Sequence, residues 1–227
     1  MNRTTRILIA AAALTSIFTV PALAAEPGFY LSATAGHAEE SPGKSLGTNI
    51  AFGFPPTAIR HIDPSSVDVD DSGVAWSVAV GYRLNPYFAA EVEYIDFGTA
   101  DITEHYTFST PPVPFFPAEL TRPYSSTVKG PALSVLGSLP LGKGWDVFLR
   151  AGVLFADREV DIGQAVVGFN GNTFGSTVAL GGVGVGWSTA SRWAFRAEYQ
   201  RTGTLDSSFL AGGTKLERIS LSVLFKL

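Results

Sequence analysis

Apolar and polar side chains alternate along eight segments of this sequence, and no other feature limits the possible folds as much. Successive side chains of an extended strand point to opposite faces, so a period of two means a sheet with one greasy and one polar side. At the C-terminus Ile219, Leu221, Val223, Phe225 and Leu227 share one face, while Arg218, Ser220, Ser222, Leu224 and Lys226 share the other. Trp193, Phe195, Ala197 and Tyr199 oppose Arg192, Arg196, Glu198 and Gln200. From Trp145 to Phe155 every odd position is apolar, with Asp146 and Arg150 opposite, and Phe88, Ala90, Val92 and Tyr94 stand against Glu91 and Glu93. Four further segments fit more loosely: 29–36, 74–83, 129–139 (where Pro131 predicts a weakened outer half) and the Gly-rich 177–187. The count is eight strands, an even number.

The first 24 residues are a separate matter. Arg3 and Arg6 precede an uncharged run from Ile7 to Val20, then Pro21 and Ala22-Leu23-Ala24. A basic start, a short apolar stretch and a small-x-small ending are the parts of a secretory signal peptide, with cleavage expected after Ala24 and a barrel domain at 25–227. The run is too short for a spanning helix across roughly 30 Å of hydrocarbon, and no later window approaches the ~20 apolar residues such a helix needs.

The connections between strands sort by parity. After the second, fourth and sixth strands they are short: Leu84–Tyr87, Pro140–Gly144 and Ser188–Ser191. After the odd strands they are long, covering roughly 38–73, 98–126, 157–175 and 202–216. Short turns at one end and long loops at the other are the pattern of a transmembrane barrel, with periplasmic turns and external loops.

Alternation alone also fits a soluble, lipocalin-like barrel with its apolar face inward. Two features favour the opposite orientation. The polar face carries full charges of both signs at mid-strand (Glu91, Glu93, Arg150, Arg196, Glu198), and these could pair inside an eight-stranded cylinder just wide enough to be filled by side chains. Arg83 joins them on the polar face. The stronger feature is the set of aromatics beside the short turns: Phe29, Tyr82, Phe88, Trp145, Trp187, Trp193 and Phe225. Rings with an apolar body and a polar edge gather at membrane–water boundaries. Trp145 to Phe155 measures about 33 Å of strand, which at a tilt of about 40° rises roughly 25 Å, the height of the apolar band. By the same rule Tyr199 falls inside the band. The fold class is therefore an all-β, eight-stranded antiparallel up-and-down transmembrane β-barrel.

The run from Gly81 through Leu84-Asn85-Pro86-Tyr87-Phe88 to Gly98 resembles the second hairpin strand pair of OmpA-like barrels, and Phe195-Arg196-Ala197-Glu198-Tyr199-Gln200 resembles their seventh strand. The resemblance implies a barrel-only outer-membrane protein of Gram-negative bacteria, with no peptidoglycan-binding domain. It also implies that Glu91 and Arg196 belong to a salt-bridge network plugging the lumen. The family's other gate partners, a lysine and a second glutamate, fall near Leu136 and Gly186. This departs from the pattern and leaves Arg150, Glu93 and Glu198 to build a different plug. Family members usually end in an aromatic read by the insertion machinery; here Leu227 is last, and Phe225 is expected to serve.

Composition removes several other functions. The chain has 227 residues, 46 % hydrophobic and 16 % charged, with a formal net charge of −4 and no basic cluster, which argues against nucleic acid as a partner. With no cysteine, disulfide scaffolds, thiolate metal sites and Cys nucleophiles are all excluded. Asp68-Val69-Asp70-Asp71-Ser72-Gly73 matches the first half of a calcium loop, but position twelve would be Ala79 rather than a bidentate Glu, so the reading is an acidic solvated loop. His37, His61 and His105 lie near or in the long loops, with Glu39, Ser41 and Asp63 near the first two in sequence, yet no spacing fixes a nucleophile beside a base. No cofactor or metal is expected. Thr110-Pro111-Pro112-Val113-Pro114-Phe115-Phe116-Pro117 predicts an extended loop tip with two phenylalanines, either folded on the rim or presented to a partner. The expected function is a structural outer-membrane barrel that supports the envelope and displays surface loops, with adhesion or host contact as their use. A small or gated channel is the alternative, and a lipid-modifying enzyme a third reading. Expected partners are outer-membrane lipid and lipopolysaccharide, the barrel-assembly machinery and periplasmic chaperones, and through the loops a host or neighbouring envelope protein.

Overall fold

The computed structural model describes residues 27–41, 48–52, 58–62, 65–70, 73–107, 119–161, 172–205 and 214–227. The expected signal segment, the proline-rich tip at 110–117, Asp63 and Asp71-Ser72 lie outside them. Eleven strands follow in order: β1 (Gly28–Ser41), β2 (Thr48–Phe52), β3 (Ala58–Ile62), β4 (Ser66–Asp70), β5 (Val74–Arg83), β6 (Phe88–Thr107), β7 (Glu119–Gly142), β8 (Trp145–Asp161), β9 (Asn172–Ser188), β10 (Trp193–Thr202) and β11 (Lys215–Lys226). Eight of them, β1 and β5 to β11, pair antiparallel with their neighbours, and β11 closes on β1. Full closure leaves no unpaired edge, as a sheet in lipid requires.

The register fixes the shape of the cylinder. Val147 pairs with Val185, then the ladder runs through Ala197, Leu221, Ala35, Trp76, Asp96 and Lys129 and returns to β8 at Asp157. One circuit thus advances the strand from position 147 to 157, a stagger of ten residues in eight strands, which goes with a tilt of about 40°.

Every expected strand is present, and several run further than the alternation indicates. β6 has 20 residues and β7 has 24, so the hairpin they form continues far into the segment expected to be loop. β8 and β9 extend likewise to Asp161 and from Asn172. The segment after β1 holds a small β2–β3 hairpin and β4, which pairs with the outer half of β6. The half calcium loop is therefore partly a strand: Asp68 and Asp70 sit in β4, with Asp70 opposite Asp101. Pro131 does not end β7 either. The β7–β8 ladder skips Gly130 and Pro131 and resumes on both sides, at Lys129–Asp157 and Ala132–Leu154, so the missing N–H is absorbed locally.

Turn chemistry accounts for the short end. Lys143 and Gly144 both take positive φ (53° and 83°), as the two central residues of a type I′ hairpin must. Asn85 Oδ1 accepts hydrogen bonds from the N–H groups of Tyr87 (2.8 Å) and Phe88 (2.9 Å), closing the turn before β6. At the other end a bulge in β6 between Asp96 and Thr99 places Gly98 at φ 82°, its N–H held by Asp96 Oδ1 at 2.8 Å.

Burial is the reverse of that in a water-soluble protein. On β8 Leu149 is 65 % exposed, while the side chain of its neighbour Arg150 is 4 % exposed. Leu31, Val78, Val92, Leu133, Leu221 and Ile219 all face outward and are exposed. Among the described residues the outer face carries the charged pairs Lys129–Glu159 (3.0 Å) and Arg201–Glu217 (3.2 Å) towards the loop side. Tyr199 donates to Glu217 at 2.7 Å and sits one outward position below Arg201.

Candidate functional site

The interior is built in layers, which follow from the inward residues of each strand read from the turns upward. Along β8 they are Asp146, Phe148, Arg150, Gly152, Leu154, Ala156, Arg158 and Val160. Along β6 they are Ala89, Glu91, Glu93, Ile95 and Phe97. The lowest apolar tier joins Tyr30, Ala89, Leu136, Phe148, Ala194 and Leu224. A wider one higher up includes Ala75, Ile95, Phe97, Val128, Leu154, Leu180 and Leu216. Charges are held between these tiers.

Arg150 is the centre of that charged layer. Its Nε and Nη2 grip Glu198 at 2.6 and 3.1 Å, a two-point contact of the kind the planar guanidinium favours. Nη1 lies 2.7 Å from Glu91 Oε2 and 3.2 Å from Glu93 Oε2. Arg196 Nη1 donates to Glu91 Oε1 at 2.5 Å, and the Tyr30 hydroxyl donates to the same oxygen at 2.6 Å. Arg218 completes the layer, with Nη2 on Glu93 at 3.0 Å and Nη1 on Ser77 at 3.2 Å. Three arginines thus meet three glutamates, and the layer is neutral. Aromatic faces cover the guanidiniums: Arg196 lies 5.3 Å from the ring centres of both Tyr30 and Phe148, and Arg218 lies 5.8 Å from that of Phe97.

A second polar cluster stands above the wider apolar tier. Arg158 reaches Glu40 (2.6 Å), Ser126 (2.9 Å) and Thr214 (3.2 Å), and all four are buried. Beside it Tyr106 donates to Glu104 at 2.7 Å.

Glycine makes room for these groups. A Cβ on Gly184 would stand 2.5 Å from both Phe148 Cζ and the Ala197 carbonyl oxygen, one on Gly182 would stand 2.6 Å from Glu198 Oε1, and one on Gly81 would overlap the Tyr30 ring. The Gly-rich face of β9 is thus the space into which β8 and β10 project. Gly184→Val is expected to lower unfolding stability by about 1–3 kcal/mol, the usual cost of overpacking. Urea unfolding in lipid vesicles measures it, and an unchanged midpoint would show that Phe148 has another place to go.

A profile of the family described as "Outer membrane protein beta-barrel domain" matches residues 10–226. The chain belongs to that family. No curated relative matches it. Among solved structures this outer-membrane barrel is similar to Neisserial surface protein A, at 16 % identity over 90 % of this chain and 99 % of the other, with a TM-score of 0.54. Weaker likenesses include Ail, the attachment invasion locus protein of Yersinia pestis (9 % identity, 87 % and 99 % covered, TM-score 0.43), and the N-terminal barrel of Pseudomonas aeruginosa OprF (10 %, 88 % and 100 %, 0.44). Identities this low speak to fold alone. Family membership places the barrel in the Gram-negative outer membrane.

Of the polar residues picked out in the sequence, Glu91, Glu93, Arg150, Arg196 and Glu198 meet in one network. Arg83 does not join it. It faces the lumen at the turn-side mouth, one inward position below Gly81, and forms no ion pair with the carboxylates of the layer. Arg218 and Tyr30 complete the layer without having been singled out. Arg218 was legible as an inward position on the last strand, but Tyr30 was not, because an aromatic on a polar face reads as an exception. Leu136 and Gly186, near which the family's other gate partners fall, carry no charge here: the first is in the lower apolar tier and the second lies under the Asp146 side chain.

The seven turn-side aromatics all face outward. Phe29 packs on Tyr82 (ring centres 4.8 Å apart), Trp145 on Trp187 (6.2 Å) and Trp193 on Phe225 (4.9 Å), and Phe195 extends the row beside Trp187 at 5.9 Å. Phe88 is exposed at the base of β6. On the loop side Trp76 and Tyr94 form another outward pair at 6.2 Å.

The histidines lie elsewhere. His37 is exposed on β1 near Glu39 (3.9 Å), and His61 is in β3 opposite Asn49. His105 lies between Asp68 (3.2 Å) and the Thr121 hydroxyl (3.3 Å) on the open outer face of the β4–β6–β7 sheet. Among the described residues no three His, Asp or Glu side chains gather into a metal site.

Proposed function

We propose that this barrel is a closed scaffold of the outer membrane, which supports the envelope and carries its function on the loop side. The filled interior supports this most directly. A neutral layer of three arginines and three glutamates is packed between two apolar tiers, with a further buried arginine cluster above, so water and ions have no continuous polar path through the described residues. The extended β6–β7 and β8–β9 walls support the display role, because the described strands continue well beyond the apolar band on the loop side. On this reading the protein is exported behind a cleaved signal segment at 1–24 and inserted by the barrel-assembly machinery with periplasmic chaperones. It sits among lipopolysaccharide, and its loops contact a host or neighbouring envelope protein. It is not an enzyme.

Planar-bilayer recording of the refolded protein tests the closed state. The expected trace is silent, and it stays silent after Lys129→Ala, a change on the outer wall. Discrete openings altered by Glu91→Ala or Arg196→Ala would instead establish the channel reading. Mass spectrometry of lipid A from a deletion strain tests the enzymatic one, with an unchanged profile expected.

A further inference from the structure

We propose that the turn-side mouth of the barrel is an anion-binding vestibule that holds a phosphate or carboxylate group between Arg83 and Lys226. A cavity of about 610 Å³ opens there, lined by Tyr30, Arg83, Asp146, Arg196, Leu224 and Lys226 among others. Its floor is the lower apolar tier, so a charge placed in it is partly withdrawn from water on one side.

The charge balance of this cavity differs from that of the rest of the lumen. Higher up, Arg150, Arg158, Arg196 and Arg218 each contact a carboxylate. Arg83 is the exception among the described lumen-facing arginines. It is half-buried, and among the described residues its guanidinium makes no hydrogen bond or ion pair. Lys226, also half-buried, is in the same state across the mouth. Arg83 and Lys226 are close enough to repel each other electrostatically, and Arg83 also feels Arg196. Asp146 is the acid nearest to both, but its side chain lies over Gly186 and reaches neither within ion-pair distance. Two like charges brought together in a half-buried mouth, with Asp146 nearby but paired to neither, are costly, and an entering anion reduces that cost. The guanidinium fork matches a carboxylate or phosphate at two points, and the ammonium adds a third contact. Both a soluble periplasmic anion and the phosphate of an inner-leaflet phospholipid offer this chemistry.

The test uses the full barrel in phosphatidylcholine nanodiscs, titrated with citrate and separately with pyrophosphate. Binding is read by NMR at the Leu224 and Lys226 amides, both in the lining of the mouth. A saturable shift is expected in roughly the millimolar range, which two charge-assisted contacts can support. Arg83→Gln should weaken it about tenfold, Arg83→Lys, which keeps the charge but loses the fork, should weaken it by a smaller factor, and Asp146→Asn should strengthen it several-fold by removing the competing acid. The lysine variant separates loss of charge from loss of fold. Doping the nanodiscs with phosphatidylglycerol identifies the source. If the lipid headgroup is the ligand, the same resonances shift without added anion and citrate competes; if the ligand is soluble, they do not move. No saturable shift with citrate, pyrophosphate or phosphatidylglycerol, or a shift undiminished by Arg83→Gln, overturns the proposal.

Discussion

Arg150→Met is expected to cost the barrel about 3–5 kcal/mol of unfolding free energy, because it leaves a buried, unbalanced negative charge. Arg150 touches Glu91, Glu93 and Glu198 at once, and its side chain is 4 % exposed. Without it, three carboxylates face two guanidiniums, and Glu198 keeps only the Gln200 amide at 3.1 Å. Water does not reach this layer freely, since apolar tiers close it above and below. The double variant Arg150→Met with Glu198→Gln removes one charge of each sign and should recover part of the loss, with a coupling of about 1–3 kcal/mol. Urea unfolding in phosphatidylcholine vesicles, followed by tryptophan fluorescence, gives all four corners of the cycle. Strict additivity would mean that the arginine and the glutamate act independently and that the layer is not one network. As a control on the outer wall, Glu159→Ala loses the half-exposed pair with Lys129 and should shift stability by less than about 1 kcal/mol.

The sequence made this layer legible to the extent that alternation survives inside the membrane. Glu91, Glu93, Arg150, Arg196 and Glu198 occupy inward positions between lipid-facing apolar residues, and a charge there has only the lumen to face. Which charges meet is another matter. Arg218 reaches Glu93 from three strands away because the strands are staggered by ten residues per circuit, and a register is not written in any single strand. Arg83 shows the same limit from the other direction: it has the right face but stands one inward position below Gly81, the partner of Glu91 on the ladder. Arg158 and Glu40 were lost for a different reason. Above the membrane the outer face becomes polar, with Asp157 and Glu159 flanking Arg158, so the alternation that marks a strand in lipid fades while the backbone ladder continues. Hydrogen-bonded pairing needs no apolar face to persist, and for that reason the outer halves of β6 to β9 read as loop.

The orientation of the wall makes the sharpest prediction. Leu149→Arg should destabilise the folded barrel by about 2–4 kcal/mol, the cost of an arginine near the middle of the bilayer on a lipid-facing strand. Leu149 lies midway between Trp145 and Val153 on the outer face of β8 and is 65 % exposed, so the larger side chain meets no steric obstacle within the protein. If the same face met water, the substitution would replace an exposed leucine with a soluble residue and change stability by no more than about 0.5 kcal/mol. The penalty should fall with distance from the midplane, so Phe155→Arg, at the loop-side end of the same row and next to Asp157, should cost under about 1 kcal/mol. Equilibrium unfolding in vesicles measures both. An equal, small effect at the two positions would put Leu149 in water and reverse the assignment of inside and outside on which the charged interior depends. A steep gradient from Leu149 to Phe155 would instead trace the apolar band along β8, bounded by Trp145 below and Asp157 above.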